Sequence, residues 1–135
     1  MLLLQAMFIK FFKFVIVGLS GLIIDFGLTF FCKEKFSVNK YLSNSIGFLF
    51  AASSNYFLNR VWTFGSRNLE IIVEFSSFFF VSIIGLLINN SILWLIHNKV
   101  GINFYLAKFG AILITTLWNF FANYYFTFIV QSSIY

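Results

Sequence analysis

This 135-residue chain contains no proline and one cysteine, and charged residues make up only 10% of it. Because proline is the residue that most often kinks a helix, its absence permits long uninterrupted helices. The single cysteine, Cys32, excludes a disulfide within the chain. The net charge of +5 comes without a dense basic cluster. We therefore expect anionic membrane lipids, and not nucleic acid, as its electrostatic partners.

What the chain has in abundance is apolar side chains. Hydrophobic residues are 61% of the sequence and the mean hydropathy is +0.94, more apolar surface than a domain of this size buries in water. The apolar runs do not alternate as barrel strands do, so helices remain as the spanning structure. We expect an all-α integral membrane protein with four transmembrane helices, about Phe11–Phe31, Tyr41–Phe57, Glu74–Ile96 and Phe104–Val130.

The sequence also repeats itself. Residues 11–64 align without a gap on residues 75–128, with about 16 identities in about 54 positions. The phrase NYFLNRVWTF, from Asn55, recurs as NFFANYYFTF, from Asn119. We expect one membrane domain over residues 1–135, built as two helical-hairpin repeats, about 11–64 and 75–128. Because each unit holds two spans, the repeats are parallel.

Paired asparagines mark the end of each repeat. Asn55 and Asn59 are four residues apart and share a helix face, as do Asn119 and Asn123. Amides inside a membrane require partners. They either hold neighbouring helices together or converge on a polar headgroup of a bound ligand.

Three further polar positions stand out within the spans. Arg60, at the end of the second span, suits a phosphate or carboxylate partner, or the membrane surface beside aromatic residues. Asp25 lies inside the first span, where a carboxylate is costly and usually functional. Its equivalent in the second repeat is Asn89. Asp25 is expected to serve proton coupling, bind sugar hydroxyls, or pair with a cation such as Lys108.

Catalytic and metal-binding patterns are absent from the sequence. There is no nucleophile–base set, no metal-ligand spacing and no phosphate-binding glycine loop. The lone His97 lies at the end of a span, away from other potential ligands. We therefore expect neither an enzyme, nor a metal site, nor a bound cofactor.

Together these residues carry a family resemblance. FFKFVIVGLSGLIIDFGL in the first span, NYFLNRVWTF closing the second, GLLIN in the third and NFFANYYFTF closing the fourth resemble the GtrA-like family. That resemblance covers about Lys10 to Phe128. It implies a small four-span protein that moves polyprenyl-phosphate-linked sugars, such as bactoprenol (undecaprenyl) phosphate glucose, across the cytoplasmic membrane. The sugars serve cell-surface polysaccharide modification.

The resemblance also implies an orientation and a set of site residues. Lysines and arginines are nearly balanced between the two sides of the membrane, so the cytoplasmic termini follow from the family alone. The matched site residues are Asp25, Asn55, Asn59, Arg60, Asn119 and Asn123. The second ending departs from the family pattern, because Tyr124 occupies a position that is often basic.

Other functions remain open from the sequence. One alternative is a small proton-coupled exporter of lipophilic cations that uses Asp25. Another is a non-transporting membrane partner of a glycosyltransferase. Because four short helices form a thin wall, we expect a homo-oligomer or a complex with a glycosyltransferase.

Overall fold

A computed structural model of the chain describes residues 1–129 as four helices joined by short loops. Val130, the predicted end of the fourth span, lies outside the described residues. The α-helical segments are α1 (Leu2–Phe30), α2 (Lys40–Leu58), α3 (Ile71–Trp94) and α4 (Phe104–Ala122). α1 begins well before the predicted Phe11, because the apolar residues that precede Phe11 continue the helix.

Each helix closes with a wider π-helical stretch. These are Phe31–Lys35, Asn59–Thr63, Leu95–Val100 and Asn123–Ile129. The backbone N–H groups of Phe36 and Phe64 donate to carbonyls five residues earlier, at 3.1 and 2.9 Å. Such turns are rare in proteins. Here they recur 64 residues apart, because Phe31–Lys35 corresponds to Leu95–Val100 and Asn59–Thr63 to Asn123–Ile129.

The starts of α2 and α4 also correspond. Asn39 caps α2 by accepting from the N–H of Tyr41 at 2.9 Å, and Asn103 caps α4 by accepting from Tyr105 at 3.0 Å. Satisfying these first-turn donors stabilises a helix start. Gly101 has a φ of 82° in the loop before α4, a backbone conformation that favours glycine.

The distribution of polar and apolar side chains is inverted relative to a water-soluble protein. Large apolar side chains are exposed along all four helices, whereas 13 polar or charged side chains of the described residues are buried. This pattern suits lipid as the solvent. The prediction of an all-α integral membrane protein is confirmed. The buried polar residues are Asp25, Thr29, Ser43, Asn44, Asn59, Thr63, Glu74, Ser82, Asn89, Lys108, Thr115, Asn123 and Thr127.

Three of the four helices are long and apolar enough to cross a membrane by their own composition. They are Leu2–Lys35, Ile71–Val100 and Phe104–Phe128. α2 is the exception, because it carries several serines and asparagines such as Ser43, Asn44 and Asn55. Ser43 and Asn44 are buried against the other helices, so α2 depends on its neighbours to shield these polar groups from lipid.

The helices pack as two hairpins. α1 packs chiefly on α2, forming the first hairpin, and α3 packs chiefly on α4, forming the second. The start of α1 meets the end of α4, where the rings of Phe11 and Phe120 lie 5.0 Å apart. We call this the terminal end of the bundle, and the opposite end, which carries the two hairpin loops, the loop end. The division into two sequence repeats stays a prediction.

Candidate functional site

A polar cluster joins all four helices inside the bundle. Lys108 on α4 donates to Asp25 on α1 at 2.7 Å and to the side-chain oxygen of Asn44 on α2 at 2.6 Å. Asn44 in turn donates to Asn89 on α3 at 3.0 Å. The side chain of Lys108 is fully buried and that of Asp25 is 6% exposed. We call Asp25, Asn44, Asn89 and Lys108 the four-helix cluster.

Charge balance explains how this cluster is tolerated. A single buried charge in the bundle is costly, whereas a paired and hydrogen-bonded one is tolerated. Thr29 also donates to Asp25 at 3.3 Å. The carboxylate therefore has two partners, and the ammonium has an amide as well as its counter-ion. The expected pairing of Asp25 with Lys108 is present.

Between this cluster and the terminal end lies a cavity of about 80 Å³. Both hairpins line it. Its lining residues are Phe14, Gly18, Gly21, Leu22, Asp25, Phe48, Ala51, Ala52, Asn55, Phe78, Ser82, Ile112, Thr115, Thr116 and Asn119. At the density of liquid water, a volume of this size holds about two or three water molecules.

Two of the residues that line this cavity each carry an unpaired amide oxygen. The side-chain oxygens of Asn55 and Asn119 are buried and, among the described residues, have no hydrogen-bond partner. Asn55 packs directly on Gly21, where an added Cβ would lie 2.5 Å from the amide nitrogen. Asn119 packs on Gly85, where an added Cβ would lie 2.4 Å from the amide oxygen. The two glycines thus leave room for an amide in each hairpin.

Aromatic rings pack together at the terminal end of the bundle, and one of them, Phe14, lines the cavity. Phe64 and Phe128 stack on each other with centroids 4.1 Å apart and planes 12° from parallel. Phe14, Phe120 and Tyr124 pack beside them. Phe14 and Asp25 thus connect the cavity to these rings and to the four-helix cluster.

Arg60 forms an ion pair at the terminal end, outside the cavity. Its guanidinium binds Glu74 and donates to the carbonyl of Asn68 at 2.6 Å. Glu74 also accepts from the Tyr56 hydroxyl at 3.1 Å and from the Ser66 hydroxyl. This carboxylate on α3 therefore already occupies the Arg60 guanidinium. A carboxylate partner is one of the alternatives that the sequence left open, beside a phosphate and the membrane surface.

Two other predicted site residues are engaged within their own helix ends. Asn59 accepts from the Thr63 hydroxyl at 2.6 Å, and Asn123 accepts from the Thr127 hydroxyl at 2.8 Å. Both asparagines are almost fully buried, and neither lines the cavity. The structure brings Asp25, Asn55 and Asn119 to the cavity and keeps Asn89 behind it, in the four-helix cluster.

A family model described as GtrA/DPMS, transmembrane domain, matches residues 13–128. The chain belongs to this family. The resemblance drawn from the sequence is therefore confirmed, and the chain is a membrane protein of polyprenyl-phosphate-sugar processes. No curated protein and no solved structure matches it.

Sequence reasoning missed four residues around the site of this GtrA/DPMS protein. Asn44 was not singled out, although it contacts both Lys108 and Asn89. Ser82, Thr115 and Thr116, which line the cavity, were also not considered. The 64-residue alignment held a signal for all four. Each aligns with a residue of different chemistry in the other repeat. Asn44 aligns with Lys108, Ser82 with Gly18, and Thr115 and Thr116 with Ala51 and Ala52.

Proposed function

We propose that this protein is a flippase for a polyprenyl-phosphate-linked sugar in the cytoplasmic membrane. The transported sugar would serve cell-surface polysaccharide or glycan modification. The observation that carries this proposal is the cavity between the hairpins, with the unpaired amide oxygens of Asn55 and Asn119. It offers polar contacts to a headgroup within helices whose outer surface is apolar.

Unpaired polar groups are a reason to expect a ligand there. A buried acceptor without a donor costs about 1–3 kcal/mol, so two such oxygens at equivalent positions require compensation. Sugar hydroxyls donate hydrogen bonds and would supply it. The polyprenyl chain would remain in lipid, against the exposed apolar side chains.

The phosphate of such a substrate needs cations. Arg60 remains a proposed contact, but it would have to leave Glu74 first. Lys10 and Lys13 lie at the same end, over the rings of Tyr124 and Trp62 at 5.5 Å each. Among the described residues, neither lysine forms an ion pair. Each can therefore bind a phosphate at the membrane surface without first breaking one. We place this terminal end on the cytoplasmic side.

The competing functions fit the site less well. A proton-coupled exporter of lipophilic cations would use Asp25 as its acid, but Lys108 already balances that carboxylate. A role as a membrane partner of a glycosyltransferase does not require the unpaired amides. We expect association with such an enzyme, or self-association, in addition to transport.

Transport in sealed proteoliposomes tests the proposal. A labelled polyprenyl-phosphate hexose would start in one leaflet, and its arrival in the other would be timed with and without the protein. Asn55→Leu and Asn119→Leu each remove one cavity amide and should slow transport at least several-fold. Asn98→Leu is the matched control, because Asn98 is exposed at the loop end and its loss should leave the rate unchanged.

Absence of any acceleration by folded, inserted protein would contradict a flippase. Equal rates for the cavity variants and the Asn98→Leu control would instead contradict the role given to the cavity. Co-purification with a glycosyltransferase would then test the membrane-partner function.

A further inference from the structure

The two hairpins give the cavity walls of different chemistry. The first hairpin contributes Gly18, Ala51 and Ala52. At the positions 64 residues later, the second hairpin contributes Ser82, Thr115 and Thr116. One wall is small and apolar, and the other carries three hydroxyl groups. We call the second set the hydroxyl wall.

All three hydroxyl groups of the hydroxyl wall donate to backbone carbonyls of their own helix. Ser82 donates to the carbonyl of Phe78 at 2.9 Å. Thr115 and Thr116 donate to the carbonyls four residues earlier, each at 2.8 Å. Because each hydroxyl proton is used by its own helix, each hydroxyl oxygen remains as an acceptor. That of Thr115 already accepts from the amide of Asn89 at 3.4 Å, so Ser82 and Thr116 are the two hydroxyls available to a ligand. Together with the two unpaired amide oxygens, they favour a ligand rich in donors.

The charges around the cavity disfavour an ion. Of the described residues, no Lys or Arg lines the cavity, and Asp25 does. A phosphate would therefore meet acceptors and a carboxylate, and the Lys108 ammonium is already engaged by that carboxylate. A cationic group gains little either, because Lys108 already pairs with Asp25. The chemistry that remains is an uncharged group with several hydroxyls.

The size of the cavity sets how much of a ligand enters. Its 80 Å³ accommodates one edge of a sugar ring but is too small for a hexosyl phosphate. The apolar wall of Gly18, Ala51 and Ala52 leaves space for the C–H face of such a ring. Asn55 and Asn119 lie on opposite hairpins at equivalent positions.

We propose that the hydroxyl wall is a specificity-determining surface that binds the hydroxyl-bearing edge of an uncharged sugar. The phosphate stays outside the cavity. The identification of this sugar as the headgroup of the transported lipid rests on the proposed function. The binding itself does not require transport.

Binding to the protein in phosphatidylcholine nanodiscs tests this assignment, since sugar-based detergents would compete. The probes are butyl β-D-glucoside, which is uncharged, and butyl phosphate, which is anionic. Isothermal titration calorimetry, with empty nanodiscs subtracted, should show saturable binding of the glucoside. An excess of butyl phosphate should not displace it.

Substitutions in the hydroxyl wall should weaken glucoside binding. Thr116→Val and Ser82→Ala each remove one acceptor and should raise Kd about 3–10-fold, whereas Thr116→Ser should restore it. Ser91→Ala is the matched control. Ser91 is on the same helix as Ser82 and donates to a carbonyl four residues earlier, but it is exposed and does not line the cavity.

Three results would overturn the assignment: no saturable glucoside binding, displacement by butyl phosphate, or the same Kd for the wall variants and Ser91→Ala. Glucoside binding that is sensitive to the wall supports it even where proteoliposomes show no lipid movement, and only the flippase would then fail. Lipid movement that is insensitive to the wall variants would overturn this assignment alone.

Discussion

The two seams between the hairpins are held in opposite ways. Along the α1–α4 seam, the interior contact is the ion pair of Asp25 with Lys108. At the terminal end of this seam the contact is weaker, with the Lys10 ammonium 5.5 Å from the centre of the Tyr124 ring. This seam is therefore ionic inside the bundle and aromatic near its surface.

The α2–α3 seam reverses that order. Its interior contact is the hydrogen bond between the amides of Asn44 and Asn89, at 3.0 Å. Its contact at the terminal end is the ion pair of Arg60 with Glu74. The four contacts occupy equivalent sequence positions, because each residue of one seam lies 64 residues from a residue of the other.

This difference teaches how charge is distributed in a bundle of two similar hairpins. Contact positions are shared, but each seam places its ion pair at a different depth. Separating the two hairpins therefore breaks one ion pair in each seam. We therefore expect the four contacts to differ in strength with their burial and charge, although their sequence positions correspond.

Loss of the interior ion pair should have the largest effect. Lys108→Leu leaves Asp25 charged and buried, which should lower the free energy of unfolding by about 3–5 kcal/mol. Titration with sodium dodecyl sulfate in mixed micelles measures this value. The double variant Asp25→Leu, Lys108→Leu should lose less than the sum of the two single variants. An additive loss would contradict direct coupling between the two side chains.

Loss of the ion pair at the terminal end should cost less. Arg60 is 13% exposed, and Glu74 keeps hydrogen bonds from Tyr56 and Ser66. We expect Arg60→Gln to lower the free energy of unfolding by about 1.5–3 kcal/mol in the same titration. Arg67→Gln, at an exposed arginine of the neighbouring loop, should change it little. Equal effects of the two substitutions would show that the pair with Glu74 adds no stability.

The cation–ring contact should have the smallest effect. Lys10→Gln removes the ammonium above Tyr124 and should cost about 0.5–1 kcal/mol. Lys35→Gln, at an exposed lysine of the loop end, measures the cost of losing a surface charge alone. A loss for Lys10→Gln as large as that for Arg60→Gln would remove the contrast between the seams.

The helical membrane fold was predictable because its signal is local. Long apolar runs such as 11–31 and 75–96 require lipid, and lipid requires helices. The polar residues of the site were also largely visible, since Asp25, Asn55 and Asn119 are conspicuous in apolar surroundings. The sequence did not show that the paired asparagines make different contacts. Asn55 and Asn119 face a cavity, whereas Asn59 and Asn123 satisfy threonines one turn later.

The partner of Arg60 shows why a sequence pattern was insufficient. An arginine within an aromatic phrase suited a phosphate or a carboxylate, and the acid that binds it, Glu74, lies 14 residues away in the next helix. The rotation of α3 and the path of the intervening loop decide whether the two meet. Neither depends on a pattern within one helix.

By itself, the sequence determined the solvent of this protein, its helical class and the family to which it belongs, because composition and local periodicity govern all three. The tertiary structure alone decided which charges neutralise each other and which amides remain unpaired at the cavity. Those outcomes depend on contacts between helices that are distant in the chain, where a small rotation replaces one hydrogen-bond partner with another.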